Sequence, residues 1–227
     1  MQESAESAEL FQTLLNPEKP SNEKETAGAM IAAARETRWR RNQACDAVIA
    51  RGAVACILGG AVRKFAVRPN GQRQIIDVAV TGDFLGFAPS DPEFVMEAVS
   101  SDTRIASFTR EQIDGLEARF PAVSELMDNC AADAIRRLEQ HLLVQSRITA
   151  REKVGAYLAA MTRRMKHSRS NRIVLPVTRY DIADHLGIAV ETVSRTMTVL
   201  RRGGSIEIRT PRDIEIRDEA TLCDPYC

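Results

Sequence analysis

A segment of twenty residues near the carboxyl end, residues 178–197, restricts the possible folds of this chain most strongly. Its apolar residues follow the period of two short helices separated by a tight turn. Ala183 is small where the helices must approach each other, and Gly187 can adopt the positive φ that a three-residue turn needs. Thr178 and Asp181 have the spacing of a capping box at the start of the first helix. The segment therefore predicts a helix-turn-helix, a motif that places its second helix in the major groove of DNA.

The second helix of this motif is predicted to have one buried and one exposed face. Glu191 and Arg195 lie one turn apart on the exposed face. An arginine can donate to O6 and N7 of guanine, and a carboxylate can accept from N4 of cytosine, so both side chains could read one G·C pair or adjacent pairs. The alternative is a surface ion pair between them, worth about 0.3–0.5 kcal/mol. The residues predicted to face inward are Ile182, Leu186, Ile188, Val190, Val193 and Met197, and those predicted to face outward are Glu191, Thr192, Ser194, Arg195 and Thr198.

Further polar and basic residues around the motif are candidates for secondary contacts with DNA. Residues 147–217 contain fifteen Lys and Arg against seven Asp and Glu, a net charge of +8, while residues 1–146 have a net charge of −5. Basic charge around a helix-turn-helix is typical of a DNA-binding domain joined to a neutral or acidic one, and the alternative is an ordinary solvated surface. The predicted contacts to phosphate or thymine methyl groups are Thr192, Thr196 and Thr198, and the predicted contacts to phosphate are Arg179, Arg201, Arg209 and Arg212.

Residues 44–120 are predicted to form a β-rich domain. Short runs rich in Val, Ile and Ala alternate with turn signals as far as Phe108, which suggests seven or eight strands in a sandwich or closed roll. Asn70 and Gly71 mark the clearest hairpin of the chain. Two further strands after the helix-turn-helix are predicted to pair as a wing, so residues 148–217 are expected to form a winged helix-turn-helix domain.

A long helix is predicted over residues 121–147, between these two domains. It carries two apolar stripes, which is typical of a helix that packs on its own domain with one stripe and on a second copy with the other. The alternative is a helix buried within a single domain. The narrower stripe predicts a dimer contact formed by Met127, Ala131, Ala134, Leu138, His141 and Gln145, and the other stripe contains Leu126, Ile135, Leu142 and Leu143.

The two ends of the chain are predicted to lie outside these domains. Residues 1–27 are acidic and rich in Ser, Glu and Asn, so residues 1–43 are expected to form a mobile arm and a lead-in helix. Residues 218–227 form a short acidic tail. With no signal peptide and no apolar run of about 18 residues, we expect a cytoplasmic protein with reduced thiols and no membrane contact.

Residues 44–217 resemble the Crp/Fnr superfamily of bacterial transcription regulators. The resemblance is strongest in residues 82–86, Gly-Asp-Phe-Leu-Gly, and in the helix-turn-helix, where residues 191–195 have the Glu-x-x-Ser-Arg form of the Fnr and FixK branch. Residues 70–75 are similar to a FixK-like hairpin sequence. The resemblance implies an α+β fold with an N-terminal β-roll like a cyclic-nucleotide-binding jelly roll, a long dimerisation helix and a C-terminal winged helix-turn-helix. It also implies TTGAT-type half-sites read by Glu191, Ser194 and Arg195, and RNA polymerase as a partner.

The groups with which this superfamily senses its signals are missing from the roll. No arginine follows Gly86 until Arg104, and the acidic residues between them would repel the phosphate of a cyclic nucleotide. No cysteine precedes Cys45, so an iron–sulfur cluster lacks ligands at the expected place. The three histidines, at 141, 167 and 185, lie outside the roll, which argues against haem. We therefore expect neither a cofactor nor a bound metal.

The five cysteines are assigned two different roles. Cys45, Cys56 and Cys130 lie in predicted strands or on the long helix and are expected to be buried small residues. Cys223 and Cys227 lie on the tail, where exposed thiols could be oxidised, and they are the candidate redox pair.

Three functions remain open at this point. The first is a homodimeric activator of low-oxygen-response genes that binds double-stranded DNA without a ligand and is controlled by abundance, proteolysis or thiol oxidation. The second is a ligand-gated regulator whose roll binds a small molecule other than a cyclic nucleotide. The third, a regulatory subunit of an enzyme, is disfavoured because the DNA-binding motif is complete. No catalytic constellation is evident, because the histidines are isolated and no glycine-rich phosphate loop is present.

Overall fold

The computed structural model describes residues 2–15, 23–49, 52–87, 93–165, 171–219 and 221–222. These residues form seven α-helices and ten β-strands. They divide into two compact units. The N-terminal unit consists of Met1–Lys64 and Val78–Arg137, and the C-terminal unit consists of Phe65–Asp77 and Leu138–Cys227. No helix among the described residues is both long and apolar enough to cross a membrane.

Two helices open the N-terminal unit, α1 (Gln2–Leu14) and α2 (Glu23–Ala33). Phe11 is fully buried and meets Phe108 edge-on, with the ring centroids 6.2 Å apart. Leu15 and Met30 are buried in the same core. These contacts correct the prediction of a mobile arm for the described residues of that segment, 2–15 and 23–27. The acidic composition conceals a few large apolar residues at helical spacing, and those residues bury one face of each helix.

Seven strands of the N-terminal part form two sheets. The first has the order β1-β7-β2-β5, and all of its neighbouring strands are antiparallel. The second has the order β4-β3-β6. The strands are β1 (Arg35–Trp39), β2 (Val54–Gly59), β3 (Ala61–Val67), β4 (Arg73–Val80), β5 (Phe84–Leu85), β6 (Phe94–Ala98) and β7 (Thr103–Phe108). The β region begins earlier than expected, because β1 pairs with β7 in a part of the chain that was assigned to the arm and lead-in helix.

Strand β2 divides the core of the N-terminal unit into two clusters. Its residues alternate between the faces of the sheet, so Val54, Cys56 and Leu58 join the cluster that includes α1 and α2. Ala55 and Ile57 join a second cluster with Met96 and other residues of the strands. Because both faces are covered, β2 is apolar at nearly every position rather than at every second one.

Two consecutive helices follow the sheets, α3 (Arg110–Arg119) and α4 (Pro121–Gln145). A capping box opens α3, with Thr109 Oγ1 accepting from the Gln112 backbone and the Gln112 side chain accepting from the Thr109 backbone. Pro121 opens α4, a position where a helix tolerates proline because the missing N–H would have no partner. Helix α4 begins in the N-terminal unit and ends in the C-terminal unit.

The C-terminal unit contains α5 (Ala150–Met165), α6 (Arg179–Leu186) and α7 (Val190–Arg202). A small antiparallel sheet accompanies them, with the order β8-β10-β9: β8 (Arg172–Val174), β9 (Ile206–Ile208) and β10 (Asp213–Ile216). Strands β9 and β10 form the predicted wing. A β-rich N-terminal part, a long helix and a winged helix-turn-helix therefore follow one another, which confirms the predicted α+β fold class.

The tip of the β3–β4 hairpin, residues 65–77, belongs to the C-terminal unit. Gly71 has a φ of +80°. Its N–H donates to Arg68 O at 2.8 Å, and Arg68 N–H donates to Gln72 O at 2.8 Å. The hairpin that Asn70 and Gly71 predict is therefore present, and the glycine supplies the left-handed residue of its turn.

The first described residues of the predicted tail pack on the C-terminal unit. Leu222 is buried, and Thr221 Oγ1 donates to Ser205 Oγ at 2.8 Å. A Cβ at position 155 would lie 2.2 Å from Leu222 O, so only glycine fits there. Cys223 and Cys227 lie outside the described residues.

Candidate nucleic-acid interface

The helix-turn-helix is built as its sequence predicts. Thr178 caps α6, because its hydroxyl accepts from the Asp181 backbone while the Asp181 carboxylate accepts from the Thr178 backbone at 2.9 Å. Gly187 ends α6 with a φ of +65°. Ile182, Leu186, Val193 and Met197 are buried between the helices, whereas Ile188 and Val190 are only half-buried. The capping box and the glycine set the ends of α6 and the apolar residues set its angle to α7.

Helix α7 presents the predicted reading residues on its open face. Glu191 and Arg195 are exposed, and Thr192 and Ser194 are half-buried beside them. No ion pair between Glu191 and Arg195 is present in the described part of the chain. Thr198 is half-buried, and its hydroxyl donates to Ser194 O of its own helix at 3.0 Å.

Thr196 lies on the other face of α7. Its residue exposure is 8 %, and it shares the buried face with Val193, Met197 and Leu200. Positions 193, 196, 197 and 200 follow the spacing of one helical face, which accounts for its burial. This corrects the prediction that Thr196 contacts DNA.

The predicted phosphate-binding arginines differ in their exposure and in their contacts within the chain. Arg201 is exposed in the last turn of α7. Arg209 is exposed but pairs with Glu215 at 2.9 Å, and Arg212 is half-buried, with Nη1 at 3.5 Å from Pro176 O. Arg179 is half-buried at the start of α6, and its buried Nε has no hydrogen-bond acceptor among the described residues.

Two residues missed by the sequence reasoning stand beside these arginines. Tyr180 follows Arg179 and is 67 % exposed, although its ring is large. Arg202 is exposed next to Arg201 at the end of α7. An aromatic residue directly after a helix start, on the polar face of a DNA-binding motif, is the signal that could have identified Tyr180.

The predicted dimer stripe of α4 does not form one open face. Met127 is buried in the core of the N-terminal unit, and Ala131 and Ala134 are half-buried. His141 and Gln145 contact His185 inside the C-terminal unit. Only Leu138 of this set is exposed. The exposed apolar residues of α4 instead combine both predicted stripes and are Ile135, Leu138, Leu142 and Leu143.

The titratable groups of the described core have strongly shifted pKa values. Burial raises the pKa of the Cys45 and Cys130 thiols to about 12, and it raises that of Cys56 as well. Thiols of this kind hold their proton and react slowly with oxidants. Burial, followed by the nearby His141, lowers the pKa of His185 to about 3, and burial lowers the pKa of His141. No group of three or more His, Cys, Asp or Glu in the described part of the chain could hold a metal ion.

Comparisons with known proteins agree with this geometry. Residues 152–224 match the Crp-like helix-turn-helix domain. The chain is 35 % identical to the nitrogen fixation regulation protein FixK of Rhizobium meliloti over 164 residues, which are 72 % of this chain and 73 % of that protein. It is 33 % identical to the transcriptional activatory protein AadR of Rhodopseudomonas palustris over 168 residues, 73 % of this chain and 70 % of that one.

A solved structure supports the same assignment over a larger part of the chain. The structure of FixK2 from Bradyrhizobium japonicum superposes with a TM-score of 0.71 at 28 % identity, covering 83 % of this chain and 95 % of that one. The predicted resemblance is therefore confirmed. The chain belongs to the Crp/Fnr family of helix-turn-helix transcription regulators, in its FixK branch.

Proposed function

We propose that this chain acts in the cytoplasm as a homodimer that binds a TTGAT-type palindrome and activates low-oxygen-response genes together with RNA polymerase. The open face of α7 carries the proposal. Glu191 and Arg195 are exposed one turn apart on a helix whose opposite face is buried. Relatives named for FixK and for transcriptional activation support it.

Base recognition falls to the exposed pair and to Ser194. Arg195 can donate two hydrogen bonds to one guanine, and Glu191 can accept from a cytosine on the same or the next base pair. Each such contact discriminates against a wrong base by about 1–3 kcal/mol. The half-buried Ser194 lies between them in the chain and can donate or accept at a base edge.

Phosphate contacts surround this reading face. In a helix-turn-helix the first helix crosses the DNA backbone, so Arg179 and Tyr180 at its start are suited to phosphate. Arg201 and Arg202 extend the basic surface at the far end of α7. We expect Arg209 and Arg212 to contribute less to phosphate binding, because each would have to break a contact within its own chain. Thr198 is better suited to a thymine methyl group than to phosphate, because its hydroxyl already donates to the helix.

The dimer contact is assigned to the exposed apolar residues of α4. Leu138, Leu142 and Leu143 lie in the part of α4 that belongs to the C-terminal unit, and Ile135 lies one turn before Leu138. Four large apolar side chains exposed on one helix mark a protein contact rather than a solvated surface. A second copy supplies the matching apolar surface. Its helix-turn-helix, called the reader below, can occupy the second half-site of a palindrome.

DNA binding is proposed to need no cofactor. The described thiols of the core have raised pKa values, so any redox control would fall to Cys223 and Cys227. Changing both to serine should then remove any sensitivity of DNA binding to peroxide. Sensitivity that survives this change would move the control to Cys130.

A binding titration with the purified, ligand-free protein tests the proposal. A palindrome of two TTGAT-type half-sites should bind at least about 10³-fold more tightly than random duplex at physiological salt. Equal affinity for both duplexes would contradict the proposal. Tight binding that appears only after a cell-extract metabolite is added would favour a ligand-gated regulator instead.

A further inference from the structure

Helix α6 is held at its carboxyl end by side chains from two other elements of the C-terminal unit. The last carbonyl groups of a helix have no partner within the helix. Gln74 Nε2, on the 65–77 hairpin, donates to Asp184 O at 3.0 Å. Gln145 Nε2, at the end of α4, donates to His185 O. The hairpin and α4 therefore satisfy the carbonyl groups of Asp184 and His185, while Gly187 and Ile188 donate to Ala183 O.

Charged and aromatic groups strengthen the same attachment. Arg73 of the hairpin pairs with the Asp184 carboxylate at 3.0 Å and lies 3.8 Å from that of Asp181. The ring of Tyr157 on α5 lies 5.5 Å, centroid to centroid, from the ring of His185. The hairpin, α4 and α5 thus all meet α6 around one histidine.

A relay of hydrogen bonds through His185 joins the hairpin to α4. His185 Nδ1 lies 3.2 Å from Ile75 O, and a carbonyl oxygen only accepts, so Nδ1 carries the hydrogen. In the neutral ring Nε2 is then an acceptor, and it lies 3.0 Å from His141 Nδ1, which donates to it. One arrangement of protons therefore satisfies both hydrogen bonds, from His141 to His185 and from His185 to Ile75.

The side chains of this attachment are not part of the exposed face of α7. Gln74 and Gln145 donate to backbone carbonyl groups, Gln74 also accepts from Arg68, and Glu191 and Arg195 remain exposed on α7. On α4, His141 and Gln145 face the reader while Leu138, Leu142 and Leu143 remain exposed. About two helical turns of α4, residues 138–145, thus carry both the attachment of the reader and most of the apolar face assigned to the dimer contact.

We propose that Gln74, Gln145, His141 and His185 form a latch that fixes the direction of the helix-turn-helix relative to α4, and so sets the half-site spacing that the dimer reads. The inference rests on the proposed dimer and its palindrome. Two linked readers gain affinity only when both bind their half-sites at once. A dimer whose readers are held in one direction relative to α4 therefore strongly prefers one distance between the half-sites. These four are positioning residues and act through α6.

The test uses the full-length double variant Gln74→Ala/Gln145→Ala, which leaves α6 and α7 unchanged. Its matched control is Gln72→Ala/Gln140→Ala, two exposed glutamines on the same hairpin and helix. Each protein is titrated by fluorescence anisotropy against three duplexes: a TTGAT palindrome, the same palindrome with two base pairs inserted between its half-sites, and a single half-site. Amide hydrogen exchange of residues 182–188 is measured in parallel.

The latch variant should keep the wild-type affinity for the single half-site and lose about tenfold or more on the original palindrome, because avidity depends on geometry. Its preference for the original over the altered spacing should fall by a similar factor. Amides of residues 182–188 should exchange faster, while those of the buried face of α7 stay protected. The control variant should behave as wild type in all of these measurements.

Three results would overturn the latch. An unchanged spacing preference would show that direction is set elsewhere, and an equal loss on half-site and palindrome would show that the residues only support the fold. Unchanged amide exchange would refute the latch without reference to DNA. A wild-type protein that binds no TTGAT duplex would instead contradict the proposed function, whereas faster exchange in the variant would still support the attachment of α6.

Discussion

At the scale of single residues, Arg195 is the clearest candidate for the base recognition that we propose. It is exposed on α7 and forms no ion pair with Glu191 in the described part of the chain. Its guanidinium is therefore available for a guanine edge without breaking a contact of the protein. Arg202, on the same helix, lies beyond the reading residues and serves as a matched control.

Replacing Arg195 with alanine should cost about 1–3 kcal/mol of binding free energy on the cognate half-site and should remove the preference for the guanine that it reads. Arg202→Ala should weaken binding to all sequences alike and lower the salt slope by about one unit. Competition titrations with single-base variants of the half-site measure both effects. An Arg195→Ala protein that keeps its base preference would assign recognition to other residues.

Histidines of the latch make the stability of the fold depend on pH. Their pKa values are lowered in the folded protein, to about 3 for His185, while the unfolded chain has a histidine pKa of about 6.5. The unfolded state therefore binds protons first as the pH falls below about 6.5, and the folded state loses stability from there toward the folded pKa. Above about 6.5 this contribution is fully present.

Urea unfolding between about pH 7.5 and 5 should show this loss, with each coupled proton contributing up to about 1.4 kcal/mol per pH unit. His185→Asn should be less stable at neutral pH but should show a shallower dependence, because one buried neutral ring is gone. A His185→Asn slope equal to that of the wild type would mean that His185 is not the group that titrates.

Among the elements, α4 lies between the sheets and the reader in the chain, and it carries the exposed apolar residues that we assign to the dimer contact. Leu142 is 68 % exposed, so a charge there costs little in a single chain. In a dimer the two charges would be buried without partners. Leu142→Glu should therefore yield monomers in sedimentation experiments and should abolish tight binding to the palindrome, with the thermal stability of the chain preserved.

Gln140→Glu is the control for this prediction, since it adds the same charge to an exposed position on another side of α4. It should leave the sedimentation coefficient unchanged. If Leu142→Glu also sedimented as the wild-type dimer, the contact between copies would have to lie elsewhere.

Helix α1 gives a second prediction at the same scale. Phe11 is fully buried against Phe108, so Phe11→Ala should lower the free energy of unfolding by about 3–5 kcal/mol. Thr13→Ala, at an exposed position of α1, should change it by no more than about 0.5 kcal/mol. Chemical denaturation measures both changes. If Phe11→Ala left the free energy of unfolding unchanged, the composition-based prediction of a mobile arm would hold instead.

For the whole molecule, charge is distributed unevenly along the chain. Basic residues are concentrated in residues 147–217, around the helix-turn-helix, while the N-terminal part is acidic. Gly86 leaves no room for a larger residue, because a Cβ there would lie 2.2 Å from Ala53 O. Only glycine therefore fits at this position, and no arginine follows it in the sequence until Arg104.

The phosphate of cyclic AMP would find no arginine to pair with in this segment, so cyclic AMP should leave the melting temperature of the protein unchanged. A ligand that binds only the folded state would add about 2.7 kcal/mol at 100 times its dissociation constant, which thermal unfolding detects easily. Cyclic GMP at the same concentration is the matched control for nonspecific effects. A dose-dependent rise with cyclic AMP alone would identify the N-terminal unit as a nucleotide sensor.

The local features of this protein could be predicted from its sequence. The capping boxes at Thr109 and Thr178, the left-handed Gly187 and the Asn70–Gly71 hairpin depend on residues a few positions apart, so their spacing identifies them. The α+β order of a β-rich part, a long helix and a winged helix-turn-helix follows from the same periodicities. The exposed pair Glu191 and Arg195 follows from the helical period of α7.

Only the tertiary structure decided which faces are covered. The sequence places Thr196 among the candidate DNA contacts, but packing buries it beside Met197. The stripe on α4 was assigned whole to a dimer, yet His141 and Gln145 turn to His185, and His185 meets Ile75 across 110 positions of the chain. Such contacts depend on which distant segments meet in space, and that is settled by the burial of the whole core rather than by local propensity.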